Sequence, residues 1–306
     1  MLTCVSAARA ATLTPDSTFI LGGAPSLLAP LPAPVADSAS GPQSVDQTGR
    51  FVAFASNSDG LSAAADPAVT NIYVKDRLTG AVTLVSRQTG TDGAPTSQDC
   101  FLPAISDDGS HVAFVCDGAL DPADNNDKPD VYVRELATGK TILVSRATGA
   151  DGAVGNGDSE SPALNADGSR IAFDSDSTNL GGTTDGSRQV YVRVLPSVAS
   201  SGATLLVSIA GGAGAPMPDG DSQSPSIDDN GDTIGFESKA TNLAAGDTNG
   251  TTDVFVHSIS KNTTRLESRA RLPGTQAGMS ALRGNACRGR RLRGGTCPHR
   301  RGPCLP

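Results

Sequence analysis

The sequence has no tryptophan, only three tyrosines and three histidines, and aromatic residues make up 4% of it. No apolar run approaches the roughly 18–20 residues needed to span a bilayer, which excludes a transmembrane helix. No stretch within 41–266 keeps an apolar face at helical spacing, which excludes a helical bundle. The usual catalytic signatures are missing as well. There is no G-x-S-x-G nucleophile elbow, no glycine-rich phosphate loop between a strand and a helix, and no Cys-x-x-Cys zinc spacing. His111 and His257 fall in repeat positions otherwise held by Arg50, Arg170 and Thr233, and by Lys75, Arg134 and Arg193. Both therefore read as exposed strand residues rather than catalytic bases.

What is abundant is glycine (35) and proline (20), the punctuation of many short strands and tight turns. Charge is unevenly spread. Residues 41–266 hold 14 Lys and Arg against 29 Asp and Glu, a balance of −15, whereas 267–306 hold nine Arg against Glu267 alone, a balance of +8. An acidic body of this kind argues against binding a phosphate backbone.

A phrase ending in phenylalanine recurs four times: GRFVAF, GSHVAF, GSRIAF and GDTIGF, closing at Phe54, Phe114, Phe173 and Phe236. Each is followed by a second phrase, NIYVKD (71–76), DVYVRE (130–135), QVYVRV (189–194) or DVFVHS (253–258). Self-similarity at this period marks one supersecondary unit repeated. Within the second unit, FLPAIS, DDGS, HVAFVC, DVYVREL, ATG and KTILVSR succeed one another. Asp-Gly between apolar runs is a hairpin signal, because the turn needs a positive φ that glycine adopts without penalty. Val131 and Val133 alternate with Tyr132 and Arg134, so the pairs occupy opposite strand faces. Four antiparallel strands per unit is the pattern of propeller blades. A parallel β-solenoid is the rival, but its shorter turns need no hairpin in every repeat.

The reading is an all-β propeller of four recognisable four-stranded blades, at about 41–95, 96–155, 156–217 and 218–266, forming an incomplete or open ring. Phe54, Phe114, Phe173 and Phe236, with Val52, Val112, Ile171 and Ile234, are the expected inter-blade core. Residues 1–40 read as a low-complexity leader or a degenerate export signal. The 267–306 segment reads either as a basic, disordered arm that binds nucleic acid or an anionic surface, or as a departure from the native reading frame. The repeat breaks off part-way through a unit, which favours the second.

The order P-x-[IL]-[SND]-x-[DN]-G-x-x-[IV]-A-F, then [DNQ]-[IV]-[YF]-V-[RK], Thr-Gly and LVSR, resembles the TolB-type (WD-repeat-like) β-propeller repeats of bacterial proteins. Pro103, Pro162 and Pro225 each stand six residues before Gly109, Gly168 or Gly231, as that motif requires. The resemblance covers 41–266. It implies a scaffold for protein–protein interaction outside the cytoplasm, periplasmic or extracellular, some relatives carrying propellers attached to separate hydrolase domains.

Three features are candidates for more than packing. Cys100 and Cys116 stand where the later units have Ser159 with Ser175 and Ser222 with Ser238. They are either a disulfide, which implies an oxidising compartment, or two small buried thiols. Asp124, Asn126 and Asp130, and Asp247, Asn249 and Asp253, share a spacing that offers oxygen ligands to calcium. The simpler reading has them bonding local backbone N–H groups. The basic slot Lys75, Arg134 and Arg193 reads as the polar side of a half-buried strand. The leading expectation is a non-catalytic scaffold with a protein or extended-ligand partner and no nucleic acid bound through the propeller. The alternatives are a hydrolase or lyase using Asp124, Asp127 and Asp247, and a calcium-stabilised surface or adhesion module.

Overall fold

A computed structural model describes residues 38–182, 185–196 and 202–268. The leader up to residue 37 and the tail from residue 269 lie outside the described residues. The described residues form four four-stranded antiparallel sheets, each a meander in chain order. The first blade contains β1 (Ser38–Ala39), β2 (Phe51–Ser56), β3 (Asn71–Asp76) and β4 (Val82–Leu84). The second contains β5 (Cys100–Ile105), β6 (His111–Cys116), β7 (Asp130–Glu135) and β8 (Lys140–Leu143). The third contains β9 (Ser159–Leu164), β10 (Arg170–Ser175), β11 (Gln189–Val194) and β12 (Ala203–Leu206). The fourth contains β13 (Ser222–Ile227), β14 (Thr233–Ser238), β15 (Asp253–Ser258) and β16 (Thr263–Leu266). Among the described residues the ring is not closed. The first blade starts at Ser38, inside the segment read as leader, because Ser38 and Ala39 pair with Ser56 and Ala55.

The blades stack by one rule. One face of each carries an aromatic pair, with ring centroids 6.2 Å apart for Phe114–Tyr132, 5.7 Å for Phe173–Tyr191 and 5.9 Å for Phe236–Phe255. That face packs on the small, β-branched face of the blade before it. Phe114 and Tyr132 meet Ala53, Ile72 and Val74; Phe173 and Tyr191 meet Ala113, Val131 and Val133; Phe236 and Phe255 meet Ala172, Val190 and Val192. Each fully buried phenylalanine contributes roughly 1.5–3 kcal/mol of apolar transfer. Phe54 and Val52 depart from the expected core. They are only half-buried, because the aromatic face of the first blade has no blade before it among the described residues.

At the start of each first strand a short side chain faces the end of the second. Cys100 and Cys116 are joined by a disulfide. Ser159–Ser175, Ser222–Ser238 and Ser38–Ser56 are hydrogen-bonded at 2.9 Å in the same places.

The basic slot is corrected by the structure. Arg134 and Arg193 are 4% and 1% exposed, and each guanidinium reaches across the seam into the preceding blade. Arg134 donates through Nη1 to Gln88 O at 3.1 Å and through Nη2 to Gly90 O at 2.8 Å. Arg193 donates to Ala147 O at 2.9 Å and Gly149 O at 2.8 Å. Thr141 and Thr204 complete the clamp, accepting from the arginines at 2.7 and 3.0 Å. Their hydroxyls donate onward to Arg87 O and Arg146 O at 2.6 and 2.5 Å. Burial, with Arg146 nearby, pushes the Arg193 guanidinium down to about 10, so it stays charged at neutral pH. His257, expected to be exposed, is 4% exposed for the same reason. It occupies the clamp position, with Nδ1 2.8 Å from Thr264 Oγ1, and Thr264 donates to Ile209 O across the seam.

Arg193→Met should therefore lower the unfolding free energy in urea by about 3 kcal/mol, since two part-buried carbonyls and the buried Thr204 hydroxyl lose their donor. Lys75→Met, on the open first face, should change it by less than about 0.5 kcal/mol. Equal losses for the two variants would refute the clamp.

Candidate functional site: an axial pocket and the loops above it

The first strands of the blades converge on the axis, where three of them carry the same irregularity. Pairing shifts register between Phe101 and Ala104, between Gln223 and Ser226, and opposite Ala172–Asp174 in the third blade. Leu102, Ser161 and Ser224 sit at these bulges with φ of 52°, 54° and 55°. A non-glycine residue in the left-handed region is strained by roughly 1–3 kcal/mol. The proline that follows each one has no N–H, so it leaves no ladder donor unmet at the bulge.

Leu102, Ser161 and Ser224 line a cavity of about 510 Å³ with Pro42, Pro162, Pro225 and Ile227. Its wall is mostly apolar and dotted with serine hydroxyls, and no charged residue among the described ones lines it. The first blade closes the site with Gln43, whose amide donates to Leu164 O and accepts from Leu164 N, both at 2.9 Å. Gln43 thus ties the first blade to the third, while its own carbonyl accepts Ile105 N at 2.7 Å. Beside the pocket, Arg188 holds Glu160 at 2.9 Å and Asp174 at 2.6 Å, and Asp174 accepts Ser224 N at 3.0 Å.

The acidic loops lie elsewhere. Asp124 accepts the Tyr132 hydroxyl, which in turn accepts Leu120 N at 3.2 Å. Asn126 directs its amide N–H groups to Asp130 Oδ2 at 3.0 Å and Gly155 O at 2.6 Å. Ser145 donates to Asp130 Oδ1 at 2.5 Å. In the fourth blade Asn249 donates to Asp253 at 2.8 Å and Ser268 donates to Asp253. Phe255 there replaces the tyrosine, so Asp247 Oδ1 is buried without a partner. The third blade shows the converse: its loop has no matching aspartate, and the Tyr191 hydroxyl is buried without a partner. Among the described residues, no group of three or more His, Cys, Asp or Glu side chains is gathered to hold a metal. None of Asp124, Asp127 and Asp247 lines the axial pocket.

The sequence reading did not single out the axial residues. The signal was the residue before each motif proline, which reads as extended by default and is left-handed here.

No protein-family model matches the sequence, and no curated protein matches it. Solved structures do. TolB from Acinetobacter baumannii is similar with a TM-score of 0.44 and 16% identity, over 78% of this chain and 45% of that one. A putative TolB from Agrobacterium tumefaciens gives 0.42 and 15%, over 78% and 63%. An oligogalacturonate lyase in complex with manganese gives 0.44 and 14%, over 78% and 55%. The chain spans less than two thirds of each of these structures. The neighbours include both TolB and enzymes, so the likeness concerns the fold.

Asp130 supplies a pH test. Burial is the main cause that raises its carboxyl from 3.8 to about 7, with Asp124 adding to it against the Ser145 and Asn126 hydrogen bonds. The folded state therefore keeps a proton that the unfolded chain releases. This stabilisation is complete below about pH 3.8 and is lost as pH rises to about 7. Asp130→Asn, which copies Asn71 of the first blade, should shrink the difference in melting midpoint between pH 4.5 and pH 8. An unaltered pH profile would count against the buried, protonated carboxyl.

Proposed function

We propose that this chain is a non-catalytic scaffold that binds an extended segment of a partner protein across the axial pocket. The observation that carries the reading is the pocket itself: three equivalent strained bulges present an apolar, hydroxyl-dotted wall lined by no carboxylate. Strain held at three repeated positions suits a preorganised binding surface. Extended ligands are recognised by shape and a few polar contacts in such clefts. The Cys100–Cys116 disulfide fits a location outside the cytoplasm.

The test is a peptide-array screen with the whole chain and with Ser161→Trp and Ser224→Trp, which fill the pocket. Bound sequences should lose at least about tenfold in affinity in both variants, on the order of 1.4 kcal/mol. Peptides retained equally by both variants would sink the axial site. Turnover of peptidase or polyuronide substrates that disappears in Asp124→Asn or Asp247→Asn would establish the enzyme reading instead.

One observation favours a second reading, a calcium-stabilised surface module. The unpartnered Asp247 oxygen, with Asn249 and Asp253 nearby in sequence, offers part of the oxygen shell that calcium takes. On that reading calcium raises the melting midpoint of the parent chain. It does so much less for Phe255→Tyr, whose hydroxyl occupies the Asp247 oxygen as Tyr132 occupies Asp124. A midpoint indifferent to calcium and chelator disposes of it.

A further inference from the structure

We propose that the chain associates head to tail with a second copy of itself, the outer face of the fourth blade seating on the aromatic face of the first. Two series of equivalent residues carry the inference. In the first strands, Ile105 is 0% exposed and Leu164 1%, and Ile227 is partly buried, each packed on the preceding blade, whereas Val45 is 48% exposed. Val45 bridges Val52 just as Ile105 pairs with Val112, so it holds the same place on the blade. In the third strands, Ile72, Val131 and Val190 are all 0% exposed beneath the following blade, whereas Val254 is 45% exposed. Val45 and Val254 are thus the two halves of the seam that is filled three times inside the array. On the same face Phe54 and Val52 are half-buried, while Tyr73 and Leu84 are already covered at 1% and 3% exposed, so the uncovered part of the first face is the part next to Val45.

A second copy presents both complementary faces. Charge points to that occupant and sets the polarity of the contact. Glu267 takes the place of Val85, Val144 and Val207 and Glu237 that of Val115, so the fourth face carries carboxylates, and the first carries Lys75. Either face against itself would set like charges together. The contact is therefore heterologous, closing into a ring or running on as a filament according to its rotation. Lys75 and Val82 stand where Arg134 and Thr141 form the clamp, so this seam is weaker than the internal ones and opens on dilution.

Sedimentation velocity of the full chain over a concentration series tests the proposal. The expected result is a species of at least twice 30.8 kDa that dissociates on dilution. Val45→Lys and Val254→Lys should each weaken association at least about tenfold with an unchanged β circular dichroism spectrum. Both sites are exposed in the single chain, so neither substitution burdens folding. Mixing the two variants should restore a one-to-one complex, because the mixture regains one native seam. A parent chain that stays monomeric throughout, or variants that associate as the parent does, overturns the proposal. A monomer whose Val45 and Val254 are protected from hydroxyl-radical footprinting also overturns it, and places the chain's own terminal segments on the two faces.

Discussion

The seam between blades is the constraint on which the rest depends. A four-stranded sheet of this length cannot bury two apolar faces alone, so its stability comes from its neighbours. The repeat solves this with asymmetric faces, a ringed phenylalanine and tyrosine on one side and alanine, valine and isoleucine on the other. Because the bulky face fits only the small one, blades stack in one polarity. A uniform face would permit slippage and reversal. Aromatic bulk thus sets the order of the array as well as its cohesion.

The buried arginines act on the same seam by different physics. A guanidinium removed from water is costly unless its donors are met. Arg134 and Arg193 donate to main-chain carbonyls and a threonine hydroxyl, with no carboxylate among their hydrogen-bond partners, and Arg193 Nε is left buried without a partner. Those carbonyls belong to a part-buried turn leading to the next blade. The clamp therefore fixes the connecting turn of one blade to the outer strands of the next. Apolar packing supplies most of the attraction, and the clamp fixes register and spacing. With blades held at a fixed spacing, the bulges of β5, β9 and β13 meet around one axial cavity.

Much of this was legible in the sequence, because hairpin glycines and period-two alternation are local properties. Val131 and Val133 do face one neighbour, and Tyr132 and Arg134 the other. What was not legible depends on the adjoining blade. Arg134 read as the polar side of a half-buried strand because nothing in its own repeat reveals the carbonyls of Gln88 and Gly90. His257 was misread for the same reason, since its burial comes from a seam and not from its strand. The left-handed turn at Leu102, Ser161 and Ser224 runs against the local preference of a residue before proline. It goes with the convergence of the first strands on one pocket, which lies outside any single repeat. The Tyr132–Asp124 contact required a loop path that spacing alone does not specify.

The departures from the repeat are therefore more informative than its agreement. Where both partners of a contact change together, as in Cys100 with Cys116 against Ser159 with Ser175, the geometry is kept and only the bond differs. Where one partner changes alone, a residue of the other is left exposed or unmet. Phe255 leaves Asp247 short of a donor, and the third loop leaves the Tyr191 hydroxyl short of an acceptor. Val45 and Val254 are the same phenomenon at the scale of a whole blade face, since neither residue has changed character while the neighbour each would bury against is another blade. The axial pocket differs from all of these. Its lining is repeated, strained and uncharged in three blades, so it reflects a property of the repeat and not the loss of a partner. That separates binding on the axis from assembly through the faces, and the two use different residues of the same sheets.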